Sequence, residues 1–300
     1  MTINLDDDID AVLITGPTAS GKSALALDLA RRHNGVVINA DSMQVYDTLR
    51  VLTARPSLED EAAAPHRLYG HVSASRAYST GEWLRDASAL LAVLRADGRL
   101  PVFVGGTGLY FKALTGGLSD MPEIDQAVRC QVRLRLKEEG AEALHAELAR
   151  RDAETAADLQ PADGQRIVRA LEVIEATGRS IRAFQGKAGP VLVDPARAAK
   201  FVVLPERGVL HERIGRRFGL MLDHGAVEEV RALLALGLAD DLPVMKAIGV
   251  REIAAMLDGS MSRSEVEERG AAATRQYAKR QMTWFRNQMD ESWQRLTPPA

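Results

Sequence analysis

The sequence has little cysteine, no excess of basic over acidic residues and no long hydrophobic run. Cys130 is the only cysteine, which excludes an internal disulfide and a zinc site built from cysteines. No apolar stretch approaches the roughly 18 residues of a membrane span, and the acidic start, MTINLDDDID, is unlike a secretory signal. We therefore expect a cytoplasmic protein with no membrane contact.

Charge and histidine content exclude further classes. The formal net charge is -3, so no global positive field attracts nucleic acid, and any nucleic-acid surface must be a local patch. The 6 histidines show no metal-ligand spacing such as H-x-x-x-H, and no Ser/His/Asp or Cys/His signature is present. Histidine-based metalloenzymes and serine hydrolases are therefore excluded.

Residues 16–23 read GPTASGKS, which fits the phosphate-binding pattern G-x-x-x-x-G-K-[ST]. An apolar run, AVLIT, precedes this loop, and a stretch with helical spacing, SALALDLARRH, follows it, which is the strand, loop and helix context that the motif requires. Its glycines let backbone N–H groups approach phosphate oxygens, Lys22 adds positive charge, and the Ser23 hydroxyl can bind Mg²⁺. The predicted phosphate-binding residues are Gly16, Pro17, Thr18, Ala19, Ser20, Gly21, Lys22 and Ser23. On these letters alone, ATP is the default ligand.

Further apolar runs, at 36–41, 100–106 and 200–206, predict three more buried strands separated by helical segments. This alternation is typical of a parallel sheet covered on both faces, whose ligands bind beyond the carboxyl ends of the strands. From about residue 121 to the last of these strands, the pattern predicts amphipathic helices and no strand. We predict an α/β fold: a P-loop NTPase-like parallel sheet with helices on both faces, formed by 1–120 and 200–300, and an inserted all-helical domain at 121–199.

Two polar loops, DSMQVY and GGTGLY, follow predicted strands. Aspartate can accept from an exocyclic amine and glutamine can pair with an adenine edge, so Asp41, Ser42 and Gln44 can read a nucleobase and deprotonate it. Asp41 is also the strand-end acid available to hold a metal, or a cap for the next turn. Thr107 offers a hydroxyl among glycines that permit close approach of a ligand. Because parallel strands end at one edge, these loops and the phosphate loop are expected to converge.

Basic side chains are concentrated near the C-terminus. The segment from 271 to 289 has no acidic residue and combines cations with aromatics, namely Arg275, Lys279, Arg280 and Arg286 with Tyr277, Trp284 and Phe285. Its spacing suits a helix face that follows a phosphate backbone, or a solvated face with buried aromatics. A capping box at Ser264 and Glu267 is predicted to open this helix.

Two other segments carry basic residues at helical spacing. DGQRIVRALE places Gln165, Arg166 and Arg169 near a predicted helix start at Asp163, where an RNA contact or a surface ion-pair face is equally compatible with the pattern. HERIGRRF places Arg213 and Arg217 on one face, where they can clamp a diphosphate or pair with acids of a neighbouring helix.

Five motifs, taken in order, resemble those of one family. GPTASGKS, DSMQVY, VGGTGLYFKAL, QRIVRALEV and TRQYAKRQMTWFR closely resemble motifs of the bacterial tRNA dimethylallyltransferases, also called tRNA isopentenyltransferases. The resemblance spans nearly the whole chain. It implies Mg²⁺-dependent transfer of a dimethylallyl group from dimethylallyl diphosphate to N6 of the adenine 3′-adjacent to the anticodon in tRNA, with diphosphate as the leaving group. We expect a monomer.

The resemblance also implies a role for each matching residue. The phosphate loop holds the diphosphate of the donor, Asp41 takes the N6 proton, and Thr107 lies at the target nucleotide. By the chemistry of the leaving diphosphate, we expect Lys22, Ser23 with Mg²⁺ and Arg217 to stabilise its charge. The helical insertion grips the tRNA anticodon stem-loop. Contacts with tRNA are implied for Asp41, Ser42, Met43, Gln44, Thr107, Arg129, Gln165, Arg166, Ile167, Val168, Arg169, Lys246, Arg251, Lys279, Arg280 and Arg286. Val250 departs from the family, whose members usually carry an aromatic residue there.

Two other functions compete with prenyl transfer. A small-molecule or nucleotide kinase shares the phosphate loop and the parallel sheet, but it leaves DSMQVY and the basic C-terminal segment unexplained. A P-loop RNA-binding switch without transfer chemistry accounts for the basic segment but leaves Asp41 and Thr107 without a role.

Overall fold

A parallel six-stranded sheet forms the centre of this computed structural model, which describes residues 3–6, 8–186 and 189–298. The strands are β1 (Ala11–Thr15), β2 (Gly35–Asn39), β3 (His66–Arg67), β4 (Leu100–Gly105), β5 (Ala198–Val203) and β6 (Gln294–Leu296), in the order β3-β2-β4-β1-β5-β6. Every pairing is parallel. The predicted α/β parallel sheet is confirmed. The edge strands β3 and β6 were not predicted, because two or three residues carry no readable periodicity.

The sheet is covered on both faces, as β1 shows. Successive side chains of a strand point to opposite faces: Ala11 and Leu13 belong to one hydrophobic core, whereas Val12 and Ile14 belong to another. All four are at most 1% exposed. A strand buried on both sides reads as a continuous aliphatic run, which explains why AVLIT was recognisable from the sequence.

Helices account for most of the remaining chain. They are α1 (Lys22–Arg32), α2 (Leu58–Ala63), α3 (Thr80–Ala96), α4 (Gly108–Gly116), α5 (Gln126–Glu139), α6 (Ala141–Arg151), α7 (Ala153–Ala157), α8 (Gly164–Thr177), α9 (Arg182–Gln185), α10 (Arg207–Asp223), α11 (Ala226–Ala235), α12 (Val250–Leu257) and α13 (Arg263–Gln288), with 3₁₀ turns at Pro195–Arg197 and Pro243–Lys246. Among the residues described, no helix is both long and apolar enough to cross a membrane.

The chain divides into two compact units. The first, Met1–Thr115 with Val191–Ala300, contains the sheet, and the second is Gly116–Pro190. The second unit begins and ends somewhat earlier than the 121–199 segment predicted from the sequence. It has its own core of aliphatic side chains from α5, α6 and α8, among them Leu144, Leu148, Ile167 and Leu171.

The last long helix begins two residues before the position predicted for it. Ser262, not Ser264, is the N-cap: its hydroxyl accepts from the Glu265 N–H at 3.3 Å, and the Glu265 carboxylate accepts from the Ser262 N–H at 2.8 Å. The stretch MSRSEVEE contains two overlapping matches to the capping box. The earlier one prevails because it places Met261 and Val266, at positions N′ and N4, in the same hydrophobic core.

Candidate active site

The phosphate loop leaves β1 and enters α1 in a constrained conformation. Gly16 cannot carry a side chain, because an added Cβ would lie 2.5 Å from the Val203 carbonyl oxygen. Ala19 has a positive φ of 65° and Gly21 one of 90°, and such left-handed residues turn successive backbone N–H groups toward a common point. Lys22 folds back over the loop, and its Nζ donates to the Pro17 carbonyl at 3.2 Å. The Ser20 side chain is buried, so this residue offers only its backbone to a ligand.

Two cations meet this loop. The guanidinium of Arg217, on α10, donates to the Thr18 hydroxyl, which places it beside Lys22. Burial lowers the pKa of Lys22 to about 8; the negative charge of Asp41 opposes this shift and the positive charge of Arg217 adds to it. Burial also lowers the pKa of Arg217, against the attraction of Asp41. Positive charge at this spot is costly without an anion, as expected of a site that binds phosphates.

The carboxylate of Asp41 is fixed by the residues around it. Asn39, fully buried at the end of β2, accepts from the Asp41 N–H at 2.8 Å and donates through Nδ2 to the Asp41 carbonyl at 2.9 Å. Asp41 Oδ1 accepts from the Met43 N–H at 2.9 Å. One carboxylate oxygen therefore stabilises the turn, and the side chain points into the cavity that also contacts Lys22.

The loop after β4 packs directly on the Asp41 loop. The Thr107 N–H donates to the Ala40 carbonyl at 3.2 Å, and Thr107 Oγ1 accepts from the Ser42 N–H at 3.0 Å. Gly105 permits this approach, since an added Cβ would lie 2.0 Å from the Ala40 carbonyl oxygen. The predicted convergence of the three strand-end loops is thus present in the structure.

A cavity of about 300 Å³ lies over these loops. Its wall combines charged and polar groups with an apolar side, and is formed by Thr18, Lys22, Ser23, Asp41, Ser42, Met43, Gln44, Leu52, Thr53, Ala54, Ile214, Arg217, Phe218, Met221, Lys246, Ala247, Ile248, Thr274, Tyr277 and Arg280. The cavity therefore has a charged, polar side and an apolar side.

The amide of Gln44 is not free to pair with a base through both of its polar atoms. Its Nε2 donates to the carbonyls of Thr53 and Ala54, at 2.8 and 3.0 Å, so the amide nitrogen fastens the 53–54 segment of the cavity wall. Only its carbonyl oxygen stays available for a ligand. Glu229, on α11, secures the preceding part of the same segment by accepting backbone N–H groups of residues 50–52.

The basic residues predicted in the first unit fall into separate places. Lys246 and Arg280 line the main cavity. Lys279 and Arg286 line a second cavity of about 560 Å³ between α10 and α13, together with Arg207, His211 and Arg275. Arg251 is exposed on α12 and lines neither cavity. Val250 is buried in the core.

In the helical unit, the predicted residues differ in exposure. Gln165 and Arg166 are exposed on the first turn of α8, whereas the side chains of Ile167 and Val168 lie in the core and offer RNA only their backbone. Glu172, whose side chain is 4% exposed, pairs with Arg169 at 3.6 Å and with Arg133 of α5 at 3.3 Å. Arg133 was not predicted. Arg129 lies one turn before it, with a buried Nε that has no partner in the described residues.

Sequence reasoning also missed Gln281. This side chain of α13 is 6% exposed and contacts both Thr18 and Gly106. A signal was available: Ala278, Gln281 and Phe285 share one helix face, and a polar residue on a face that is otherwise apolar must be hydrogen-bonded when buried. The basic and aromatic residues around it form the more prominent pattern in this segment.

Fold and site together define an α/β protein of the P-loop type, whose phosphate loop meets a carboxylate at one cavity. A family model described as IPP transferase matches residues 44–288. The chain belongs to the IPP transferase family.

Individual relatives agree with this assignment. A tRNA dimethylallyltransferase of Rhizobium meliloti is 70% identical over 299 residues, covering 100% of this chain and 99% of that protein. A tRNA dimethylallyltransferase of Agrobacterium fabrum is 70% identical over 298 residues, covering 99% and 100%.

Solved structures are similar over most of their length. A tRNA isopentenylpyrophosphate transferase of Bacillus halodurans has a TM-score of 0.67 at 34% identity, covering 97% of this chain and 91% of that one. A eukaryotic dimethylallyltransferase described as acting on tRNA has a TM-score of 0.78 at 26% identity, covering 92% and 70%.

Proposed function

We propose that this enzyme transfers a dimethylallyl group from dimethylallyl diphosphate to N6 of the adenine 3′-adjacent to the anticodon in tRNA, and releases diphosphate. The observation that carries the proposal is the shared cavity, in which the Asp41 carboxylate, the phosphate loop with Lys22 and Arg217, and an apolar wall meet. The membership of the IPP transferase family supports it.

The donor fits the cavity by its two chemical halves. Its diphosphate binds to the N–H groups of the phosphate loop, Lys22 and Arg217, and its branched hydrocarbon packs against Leu52, Ile214 and Phe218. As the carbon–oxygen bond breaks, negative charge grows on the leaving diphosphate, and these fixed cations and dipoles stabilise it. The same contacts explain why the loop need not hold ATP.

The proposed Mg²⁺ fits the groups present. Ser23 is exposed on the first turn of α1, and its side chain lines the cavity. Mg²⁺ ordinarily keeps several waters and takes one or two protein ligands plus phosphate oxygens, so a hydroxyl beside the diphosphate is sufficient without a cluster of acids. When bound, the ion neutralises charge on the diphosphate.

Asp41 is the proposed base. The N6 lone pair of adenine is delocalised into the ring, so N6 attacks carbon well only if its proton is removed as the bond forms. In the proposed step the N6–carbon bond forms, the carbon–oxygen bond to diphosphate breaks, and the N6 proton passes to Asp41. Thr107 fixes the adjacent Ser42 backbone and supports the target nucleotide.

The RNA is proposed to be held by cations in each unit. A stacked base cannot enter an enclosed cavity, so the target nucleotide must flip out, which costs a few kcal/mol. We propose that contacts with the RNA backbone offset this cost. They are made by Lys246 and Arg280 at the main cavity, by Lys279 and Arg286 in the groove between α10 and α13 that forms the second cavity, and by the arginines of α5 and α8 in the helical unit. Since the proposed substrate is tRNA, we propose a cytoplasmic place of action.

One experiment separates this function from its two rivals. The protein is incubated with Mg²⁺, dimethylallyl diphosphate and unmodified tRNA, and the nucleosides are analysed for N6-prenyladenosine. Absence of product from folded protein contradicts the proposal. In that case, stronger thermal stabilisation by ATP than by a thio-analogue of the donor indicates a kinase, and tRNA binding without either transfer indicates an RNA-binding switch.

A further inference from the structure

The amide of Gln281 joins two loops that carry different halves of the reaction. Its Oε1 accepts from the Thr18 N–H at 3.0 Å, and its Nε2 donates to the Gly106 carbonyl at 2.9 Å. The side chain is 6% exposed. One planar group of fixed length therefore spans the phosphate loop and the loop after β4, which are far apart in the sequence.

Each end of this bridge continues to a functional group. Thr18 accepts from the guanidinium of Arg217, which lies on the side of the leaving diphosphate. Gly106 precedes Thr107, whose hydroxyl accepts from the Ser42 N–H beside Asp41. The amide thus links the part of the site that holds the donor to the part that presents the base.

The β4 loop is shaped to receive this amide. A Cβ added at Gly106 would lie 2.1 Å from Gln281 Nε2. One turn farther along α13, the Trp284 ring occupies the space next to Gly108, where an added Cβ would lie 2.2 Å from ring carbons. α13 is therefore seated on the two loops by close contacts, with Gln281 as its polar one.

We propose that Gln281 is a positioning residue, which sets the separation between the diphosphate of the donor and the nucleotide that attacks it. This rests on the proposed function. Group transfer depends steeply on the distance and alignment of the reacting atoms, and a misplacement of about 1 Å can cost roughly 100-fold in rate. A residue of this kind affects the chemical step more than the binding of either substrate.

Two substitutions at this position test the idea. Gln281→Met preserves volume and loses both hydrogen bonds. Gln281→Glu keeps an acceptor for the Thr18 N–H but turns a carboxylate oxygen toward the Gly106 carbonyl, so both variants lose the hydrogen bond to Gly106 and only Gln281→Met also loses the one from Thr18. Asn287→Leu is the matched control, since Asn287 is an exposed amide of the same helix and lines neither cavity.

The measurement is the single-turnover rate per competent site, with sites counted by the binding stoichiometry of a thio-analogue of the donor. We expect Gln281→Met and Gln281→Glu to lower this rate at least tenfold, while the Kd values for tRNA and for the analogue stay within about threefold. Asn287→Leu should match the wild type. A merely structural role predicts a lower melting temperature and fewer competent sites with an unchanged rate per site, and that result overturns the inference.

A pair of substitutions probes the contact itself. Gly106→Ala pushes its methyl group into the Gln281 amide in the wild-type background, but Gln281→Ala removes that obstacle. We expect Gly106→Ala to reduce the rate at least tenfold alone and less than about threefold in the Gln281→Ala background, because contacting residues are not additive. Additive losses contradict the proposed contact. Lack of product from the wild type overturns the proposed function and this inference together, whereas an active wild type with unaffected variants overturns this inference alone.

Discussion

Two hydrogen bonds join Asn39 and Asp41. The Asp41 N–H donates to Asn39 Oδ1 at 2.8 Å, and Asn39 Nδ2 donates to the Asp41 carbonyl at 2.9 Å. Asn39 Nδ2 also donates to the Leu68 carbonyl at 3.0 Å, so this buried amide links the end of β2 to the segment that follows β3. These bonds hold the backbone of Asp41, and the Met43 N–H holds its carboxylate at the edge of the cavity.

Replacing Asp41 by asparagine should separate chemistry from recognition. Asp41→Asn keeps the shape and an acceptor for the Met43 N–H, but its amide takes up no proton. We expect kcat to fall by about 100-fold or more, with the Kd for tRNA within about threefold. Asp47→Asn, at an exposed position of the same segment, is the control. Equal losses in kcat and in tRNA affinity would make Asp41 a recognition residue only.

The pKa of Lys22 predicts how donor binding depends on pH. Because burial lowers this pKa to about 8, Lys22 is charged at pH 7 and loses its proton as the pH rises through that value. Affinity for a thio-analogue of the donor should therefore fall about tenfold between pH 7 and pH 9, as measured by calorimetry. Lys22→Arg should abolish the decline, since a guanidinium stays protonated over this range. A flat profile for the wild type would contradict the lowered pKa of Lys22.

Glu229 should be important for the cavity wall although it does not line the cavity. Its carboxylate accepts the N–H groups of Arg50, Val51 and Leu52 at 2.9, 2.7 and 3.0 Å. Glu229→Ala leaves three donors without their acceptor, and we expect a loss of about 2 kcal/mol or more in the free energy of unfolding together with weaker donor binding. Urea denaturation and calorimetry measure the two effects. Glu228→Ala, next to it and 68% exposed, should stay within about 0.5 kcal/mol.

In the helical unit, Glu172 should control RNA binding through two arginines. Its buried carboxylate orients Arg133 and Arg169, and Glu172→Gln loses the charge that holds them. We expect the KM for tRNA to rise about tenfold or more, because a hydrogen bond to a charged group contributes about 1.5 to 3 kcal/mol, with donor affinity unchanged. Glu175→Gln, on the exposed side of α8, is the control. A change in donor affinity of the same size would contradict a role confined to RNA.

The groove between α10 and α13 predicts a salt dependence. Arg275 and Lys279 both line it, and each phosphate contact releases counterions. Replacing either one by glutamine should weaken tRNA binding and reduce the slope of log K against log salt by about 0.7 to 1. Fluorescence titrations at several salt concentrations measure this slope, and an unchanged slope would place the RNA backbone elsewhere.

Much of the fold could be predicted because its main strands are buried on both faces. AVLIT, VVINAD and LPVFVGG read as continuous apolar runs, and glycines, which commonly end helices, cap α5 and α8 at Gly140 and Gly178. The phosphate site and Asp41 lie in loops at the strand ends, and short motifs rich in polar residues and glycine mark these loops in the sequence. A parallel sheet then places these loops at one edge without any knowledge of distances.

The remaining parts of the site depend on contacts between distant segments. Gln281 contacts Thr18 and Gly106 across more than half of the chain, and no local pattern encodes that meeting. Gln44 illustrates a different limit: it lines the cavity, but its amide nitrogen is bound to the carbonyls of Thr53 and Ala54. Hydrogen-bond partners are decided by tertiary structure, so a motif predicts where a side chain lies better than what it contacts.

The three glycines of GGTG are glycines because other segments fill their space. Gly105 faces the Ala40 carbonyl, Gly106 the Gln281 amide and Gly108 the Trp284 ring. The conformation of this stretch is therefore set by close contacts with other segments, and its glycines do not form a hinge. A natural variant with a larger residue at Gly106 or Gly108 should carry a compensating smaller residue on α13, so the two segments are expected to change together in evolution although they are far apart in the chain.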